Sequence, residues 1–152
     1  MPTTIDKVDD LHQLLGQKLE DSDWFDITQD RVNTFAEATD DRQWIHVDVD
    51  RANNESLYGG PIAHGYLTLS LLSAMFLQVL HVRQASMAIN YGLNKVRFPE
   101  PVPVGSKVRL SAEVTTVEDI ADGVQIILRA TVHCTASQKP VCVAEPIYRF
   151  YR

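Results

Sequence analysis

With 152 residues, 45% of them apolar and 22% charged, the chain has the size and make-up of one soluble globular domain that buries its own core. A formal net charge of -6 gives no electrostatic footing for nucleic-acid binding. Two cysteines, Cys134 and Cys142, are too few for a disulfide framework or a four-ligand structural zinc site.

Met1–Asp10 shows no basic region followed by an apolar run, so no secretory signal is expected. Ile5, Val8, Leu11 and Leu15 recur at helical spacing and predict an amphipathic helical extension over residues 1–21. Ser22–Thr28 reads as a short strand. Thr28 then caps a helix with Asp30 in its first turn and Val32, Phe35 and Ala36 facing inward. Residues 39–49 break the period and read as a loop, and Asp50–Ser56 reads as a short helix.

Gly59-Gly60-Pro61 introduces Ile62–Leu80, an uncharged run approaching the length of a membrane span. His64, Gly65, Thr68, Ser70, Ser73 and Gln78 mark it instead as a helix inside a soluble protein. Its apolar residues fall on nearly all sides, so a covering sheet is expected to wrap it. Met87–Phe98, Ser106–Val117, Gly123–Ala136 and Pro140–Tyr151 read as strands, with turns at Asp119–Gly123 and Ser137–Pro140. In the third of these, parity puts Cys134 with Val124, Ile126, Leu128 and Val132, and His133 on the opposite face, so the two do not share a metal. One strand before a buried helix and four after it make an α+β domain, an antiparallel sheet curled around a long central helix: the hot-dog arrangement. A single cytoplasmic domain spanning 1–152, without a membrane or nucleic-acid partner, is the expectation.

Two places can carry chemistry. Asp41 and His46 lie in the loop before the glycine-rich turn. On a regular helix their side chains would stand about 140° apart, whereas a loop lets them meet. A carboxylate beside an imidazole can hold a water and move protons on and off it. On spacing alone the plainer reading is a solvated acidic loop with a surface histidine. Ala63-His64-Gly65 opens the buried helix, where free N–H groups and the local positive field suit an oxyanion. Gly65 has no side chain to block a carbonyl, and His64 reads as an orienting or structural histidine.

FAEATDDRQWIH (Phe35–His46) followed by GGPIAHGYLTLSLLS (Gly59–Ser73) resembles the MaoC-like dehydratases, which include (R)-specific enoyl-CoA hydratases and a nodulation-protein-N-like subgroup. Their pattern is S/T-G-D-x-N-P-x-H and, later, I-x-H-G at the start of the central helix. LNKVRFPEPVPVGSKV (Leu93–Val108) is similar to the segment that follows, so the resemblance covers residues 22–151. It implies a catalytic Asp41 and His46, an oxyanion N–H at Gly65, and a serine near the acyl thioester at Ser73. Two departures stand out: Asp40 replaces the family glycine, and Gln43-Trp44 replaces Asn-Pro. Gln43 can still orient a neighbour through its amide, and Asp40 is expected to point outward.

The resemblance reverses the plainer reading of Asp41 and His46. It implies reversible hydration of trans-2-enoyl thioesters to (R)-3-hydroxyacyl thioesters, with coenzyme A as carrier and no metal or redox cofactor, in a homodimer. Which of Asp41 and His46 is the formal base stays open. Lys95 and Arg97 share a strand face that suits phosphates or, more plainly, solvent. An acidic enzyme is an awkward partner for an acidic acyl carrier protein, which leaves that carrier second to coenzyme A. A hot-dog thioesterase is the first rival, but such enzymes place a carboxylate on the central helix and Ile62–Leu80 has none. A non-catalytic acyl-CoA-binding module is the second.

Overall fold

A computed structural model describes residues 1–152. In chain order its elements are β1 (Thr3–Ile5), a 3-10 helix (Val8–Leu14), β2 (Phe25–Asp26), α1 (Gln29–Thr39), α2 (Trp44–Val47), α3 (Val49–Glu55) and α4 (Gly65–Val79). β3 (Leu80–Val82), β4 (Met87–Arg97), β5 (Lys107–Ile120), β6 (Gly123–Cys134) and β7 (Cys142–Tyr151) follow. Five strands form one antiparallel sheet in the order β2-β5-β6-β7-β4, and β1 pairs β3 in parallel. The sheet curls over α4. Val108, Leu110, Ala112 and Val114 on β5 and Val124, Ile126, Leu128 and Val132 on β6 alternate inward to meet Leu72, Met75, Phe76 and Val79.

Cys134 and Cys142 are buried free thiols, and burial pushes Cys142 up to about 11. Cys134 follows the inward parity and His133 the outward one. No helix is long and apolar enough to cross a membrane.

Four expectations need correction. The N-terminal extension is a strand followed by a 3-10 helix rather than an α-helix. Its buried residues Val8, Leu11 and Leu14 recur every third position, the period of a 3-10 turn, while Leu15 is exposed. Loop 39–49 contains the one-turn α2, which buries His46. The central helix starts at Gly65, because Pro61–His64 is extended: Ile62 bridges Pro103, and the Ala63 N–H donates to the Val102 carbonyl at 2.8 Å. Finally, α4 is not covered on all sides. Tyr66 is 70% and Leu77 73% exposed, on the flank that the five strands of one chain do not reach.

Two turn features fix the sheet. Asp122 takes a left-handed conformation (φ 59°) between β5 and β6, and a Cβ on Gly123 would lie 2.1 Å from the Phe150 carbonyl oxygen. In β7, Pro146 has no N–H. Neither it nor Glu145 pairs with β6, and the ladder resumes in register at Ala144 opposite Ala130. Gly123→Ala should destabilise the protein by about 2–3 kcal/mol, read as a lowered thermal midpoint, since backbone rather than a mobile side chain must yield. A midpoint equal to wild type would show that this corner of the sheet is not rigid.

Candidate active site

The site begins where α1 stops. Asp40 is its C-cap in the left-handed region (φ 60°, ψ 17°), a conformation that suits the glycine other members of the pattern carry there. Its carboxylate is drawn outward by Arg42 at 2.9 Å, and Arg42 also grips Glu37 through two bonds of 2.8 and 3.0 Å. The chain therefore reverses sharply and presents Asp41 on the other side. The Gln43 carbonyl accepts from the His46 N–H at 3.0 Å, and this one turn of helix aims the His46 ring into the protein.

His46 is buried, and its Nδ1 donates to the Ile62 carbonyl at 2.6 Å. A carbonyl only accepts, so the proton resides on Nδ1 and Nε2 carries a free lone pair. The same reasoning fixes His64: its Nε2 donates to the Asp41 carbonyl at 2.9 Å, leaving Nδ1 as the bare nitrogen. The two rings stack with centroids 3.8 Å apart and planes 25° apart, and Phe35 packs on His64 at 4.9 Å. One ring nitrogen from each histidine and a carboxylate oxygen of Asp41 lie within 4.8 Å of one another. Burial chiefly, with a smaller push from His64, lowers the His46 pKa below 6.5. The Ile62 bond and the Asp41 charge oppose that shift.

Gly65 opens α4 behind its N-cap, His64. The first helical bond runs from the Leu67 N–H to the His64 carbonyl at 3.0 Å, so the Gly65 N–H lies ahead of the ladder. A Cβ on Gly65 would press into the Phe98 ring at 3.2 Å. Gly65, His46, Tyr58, Thr68, Phe98 and Glu100 line a cleft of about 500 Å³.

Asp41, His46, His64 and Gly65 thus come together around one end of α4. Gln43 meets Asp41 through its backbone N–H, at 3.4 Å, and not through its side-chain amide. Ser73 is not with them. It is exposed two turns further along α4, about 12 Å down the axis. There it borders a second, apolar cavity of about 350 Å³ with Phe76, Leu77, Asn90 and Tyr148, and it stands beside the Tyr148 hydroxyl. Trp44 is occupied by Arg51, whose guanidinium lies 4.2 Å over its ring. Thr68 and Phe98 were not singled out from the sequence. Thr68 is fully buried with an unpartnered hydroxyl, as is the Nδ1 of His64. A lone threonine three residues after Gly65 in an apolar run was the available signal.

Comparison with known proteins accords with this geometry. Residues 10–135 match the family described as MaoC like domain. The chain belongs to the MaoC-like domain family. It is 51% identical over 148 residues to 3-hydroxyacyl-thioester dehydratase Z of Mycobacterium tuberculosis, covering 97% of both chains. It is 50% identical over 101 residues to nodulation protein N of Rhizobium leguminosarum, covering 66% of this chain and 63% of that one. Among solved structures, the unliganded R-hydratase of Pseudomonas aeruginosa superposes with a TM-score of 0.71 at 27% identity, over 88% of this chain and 79% of the other. The sheet around α4 is accordingly the hot-dog fold of the MaoC-like hydratases.

The site should work with neutral His46. Because its folded pKa lies below 6.5, activity should persist as pH falls through 6.5 and be lost only below it, as the ring takes up a proton. A pH profile of kcat/KM reads this directly. An acid limb centred above 6.5 would contradict the burial of His46.

Proposed function

We propose that this MaoC-like protein is an (R)-specific hydro-lyase that reversibly adds water to trans-2-enoyl-CoA. The observation that carries the reading is the convergence of Asp41 and the two tautomer-locked histidines beside the helix N-terminus at Gly65. The His46 Nε2 lone pair takes one proton of the water, and the Asp41 carboxylate accepts a hydrogen bond from the other O–H. The water oxygen bonds to C3, and the C2–C3 π pair moves toward the carbonyl, whose oxygen gains negative charge at the Gly65 N–H. The imidazolium then returns its proton to C2. Water adds as hydrogen and hydroxyl, and both protein groups end as they began. These steps call for no metal or redox cofactor.

The identity to a named 3-hydroxyacyl-thioester dehydratase supports the reaction, and the R-hydratase neighbour supports the stereochemistry. Two unpaired buried thiols suit a reducing cytoplasm. Purified protein should bleach the enoyl-thioester absorbance of crotonyl-CoA. Asp41→Asn and His46→Ala should each lower kcat by about 10²–10⁴-fold, with circular dichroism unchanged. Release of free thiol in place of hydration would make the protein a thioesterase and end this reading.

The working form proposed is a homodimer. β4 is an eleven-residue edge strand with Met87, Tyr91 and Leu93 exposed, next to the uncovered Leu77 of α4. An apolar edge of that length is a pairing template, and a second copy covers strand and helix flank together. Light scattering on a sizing column should give about twice 17.1 kDa. Leu77→Asp with Met87→Asp should yield a monomer. A wild-type monomer at micromolar concentration would refute the pairing.

A further inference from the structure

The outer face of the sheet carries a recess that regular strand alternation does not produce. Two irregularities open it. Pro146 and Glu145 leave the β6–β7 ladder, and the register between β4 and β7 shifts between Leu93 and Val96. The outcome is a hollow of about 390 Å³ lined by Lys95, Arg97, Arg129, Thr131, Val143 and Glu145. Val96 faces Ala144 on the inner side, so Lys95 and Arg97, one residue to either side of it, both point outward.

Two cations of this hollow have no carboxylate partner. At a net charge of -6, most cations are spent on carboxylates, and Arg129 is held by Glu113 at 2.9 Å. Lys95 and Arg97 form no ion pair within 4.0 Å, and Arg97 bonds only the Val96 carbonyl, at 2.7 Å. Two unneutralised cations on neighbouring outward positions of one strand make a seat for an anion.

Position supplies the ligand class. Arg97 is followed by Phe98, whose ring packs on Gly65 at the cleft, and Lys95 lies about 10 Å further back along the strand. A thioester whose carbonyl meets Gly65 sends its carrier arm out past Phe98, towards these cations. Coenzyme A ends such an arm with a diphosphate and a 3′-phosphate. A carrier protein offers only one phosphodiester, with an acidic surface that would meet Glu100 at the cleft rim; Glu145 in the hollow opposes either anion, so the two cations gain most from the phosphate-rich nucleotide. We propose that this recess seats the phosphate-bearing nucleotide end of coenzyme A, with Lys95 and Arg97 as its cationic contacts. The assignment rests on the thioester reading of the cleft.

The test compares the double variant Lys95→Glu with Arg97→Glu against wild type on two thioesters of the same enoyl group. One carries coenzyme A, and the other carries N-acetylcysteamine, which lacks phosphate. The ratio of kcat/KM for the coenzyme A thioester to that for the short one should fall about tenfold, and Lys95→Arg with Arg97→Lys should restore it. Added salt should lower the wild-type ratio and leave that of the glutamate variant flat. An unchanged ratio overturns the proposal, as does a fall that appears only with an acyl carrier protein substrate. Calorimetry with free coenzyme A separates the two readings. Binding by wild type, weakened about tenfold in the glutamate variant while no enoyl thioester is hydrated, would sink the hydration mechanism and leave the recess standing.

Discussion

The site depends on one peptide unit, Ile62, whose two polar groups both reach the loop that carries Asp41 and His46. Its N–H donates to the Ile45 carbonyl at 3.0 Å, and its carbonyl accepts from His46 Nδ1 at 2.6 Å. The loop bearing His46 is therefore fastened by backbone, and the same contact chooses its tautomer. Ile62 is itself held. The Ala63 N–H reaches the Val102 carbonyl at 2.8 Å, and the Val104 N–H reaches the Pro61 carbonyl at 3.0 Å. The extended Pro61–His64 segment works as a short clamp between residues 102–104 on one side and 45–46 on the other. Proline is well tolerated at the first helical position, so it is these bonds, which an earlier helix start would break, that hold the segment extended.

His64 adds the second fastening. Its Nε2–H holds the Asp41 carbonyl, so the carboxylate-bearing residue is positioned through its backbone while its side chain remains free to meet substrate. The stacking of His64 on His46 has an electrostatic consequence. With the ring centroids 3.8 Å apart, charge on His64 opposes a proton on His46, which burial already disfavours. Packing that orients the His46 ring thereby also favours its neutral form, the state a proton acceptor needs before water arrives. Orientation and protonation are set by the same contacts.

Much of this was legible in the chain. Alternation in β5 and β6, the apolar run of α4 and the turn residues at Asp122-Gly123 gave the sheet around a helix, because burial on one face leaves a period that composition cannot hide. Asp41, His46, His64 and Gly65 were visible as residue types in a pattern, but their meeting was not, because it is made by backbone carbonyls of Ile62 and Asp41 that carry no sequence signature. Ile5, Val8 and Leu11 fit a three-residue repeat as well as an α-helical one, and the α-helical spacing makes Leu15 the next inward position where the structure buries Leu14. The exposed flank of α4 was misread for a different reason. Apolarity on all sides shows that a helix is covered, and it does not say by which chain.

The uncovered flank of α4 offers a route for the acyl chain of the proposed substrate. Within one protomer, the cleft at Gly65 and the apolar cavity beside Ser73 occupy opposite ends of α4, and the buried side of the helix between them is filled by Leu72, Met75 and Phe76. An acyl chain cannot pass beneath the helix without displacing that core, which costs several kcal/mol. It can run along the exposed flank, past Tyr66, Ser70 and Leu77. In water that route gains nothing, because the flank is open. In the proposed dimer a second copy roofs it, and the same surface becomes a dry channel in which each buried methylene contributes about 0.8 kcal/mol. Affinity for longer acyl chains would then be a property of the assembly, while the proposed acid–base pair, Asp41 and His46, is held within each chain.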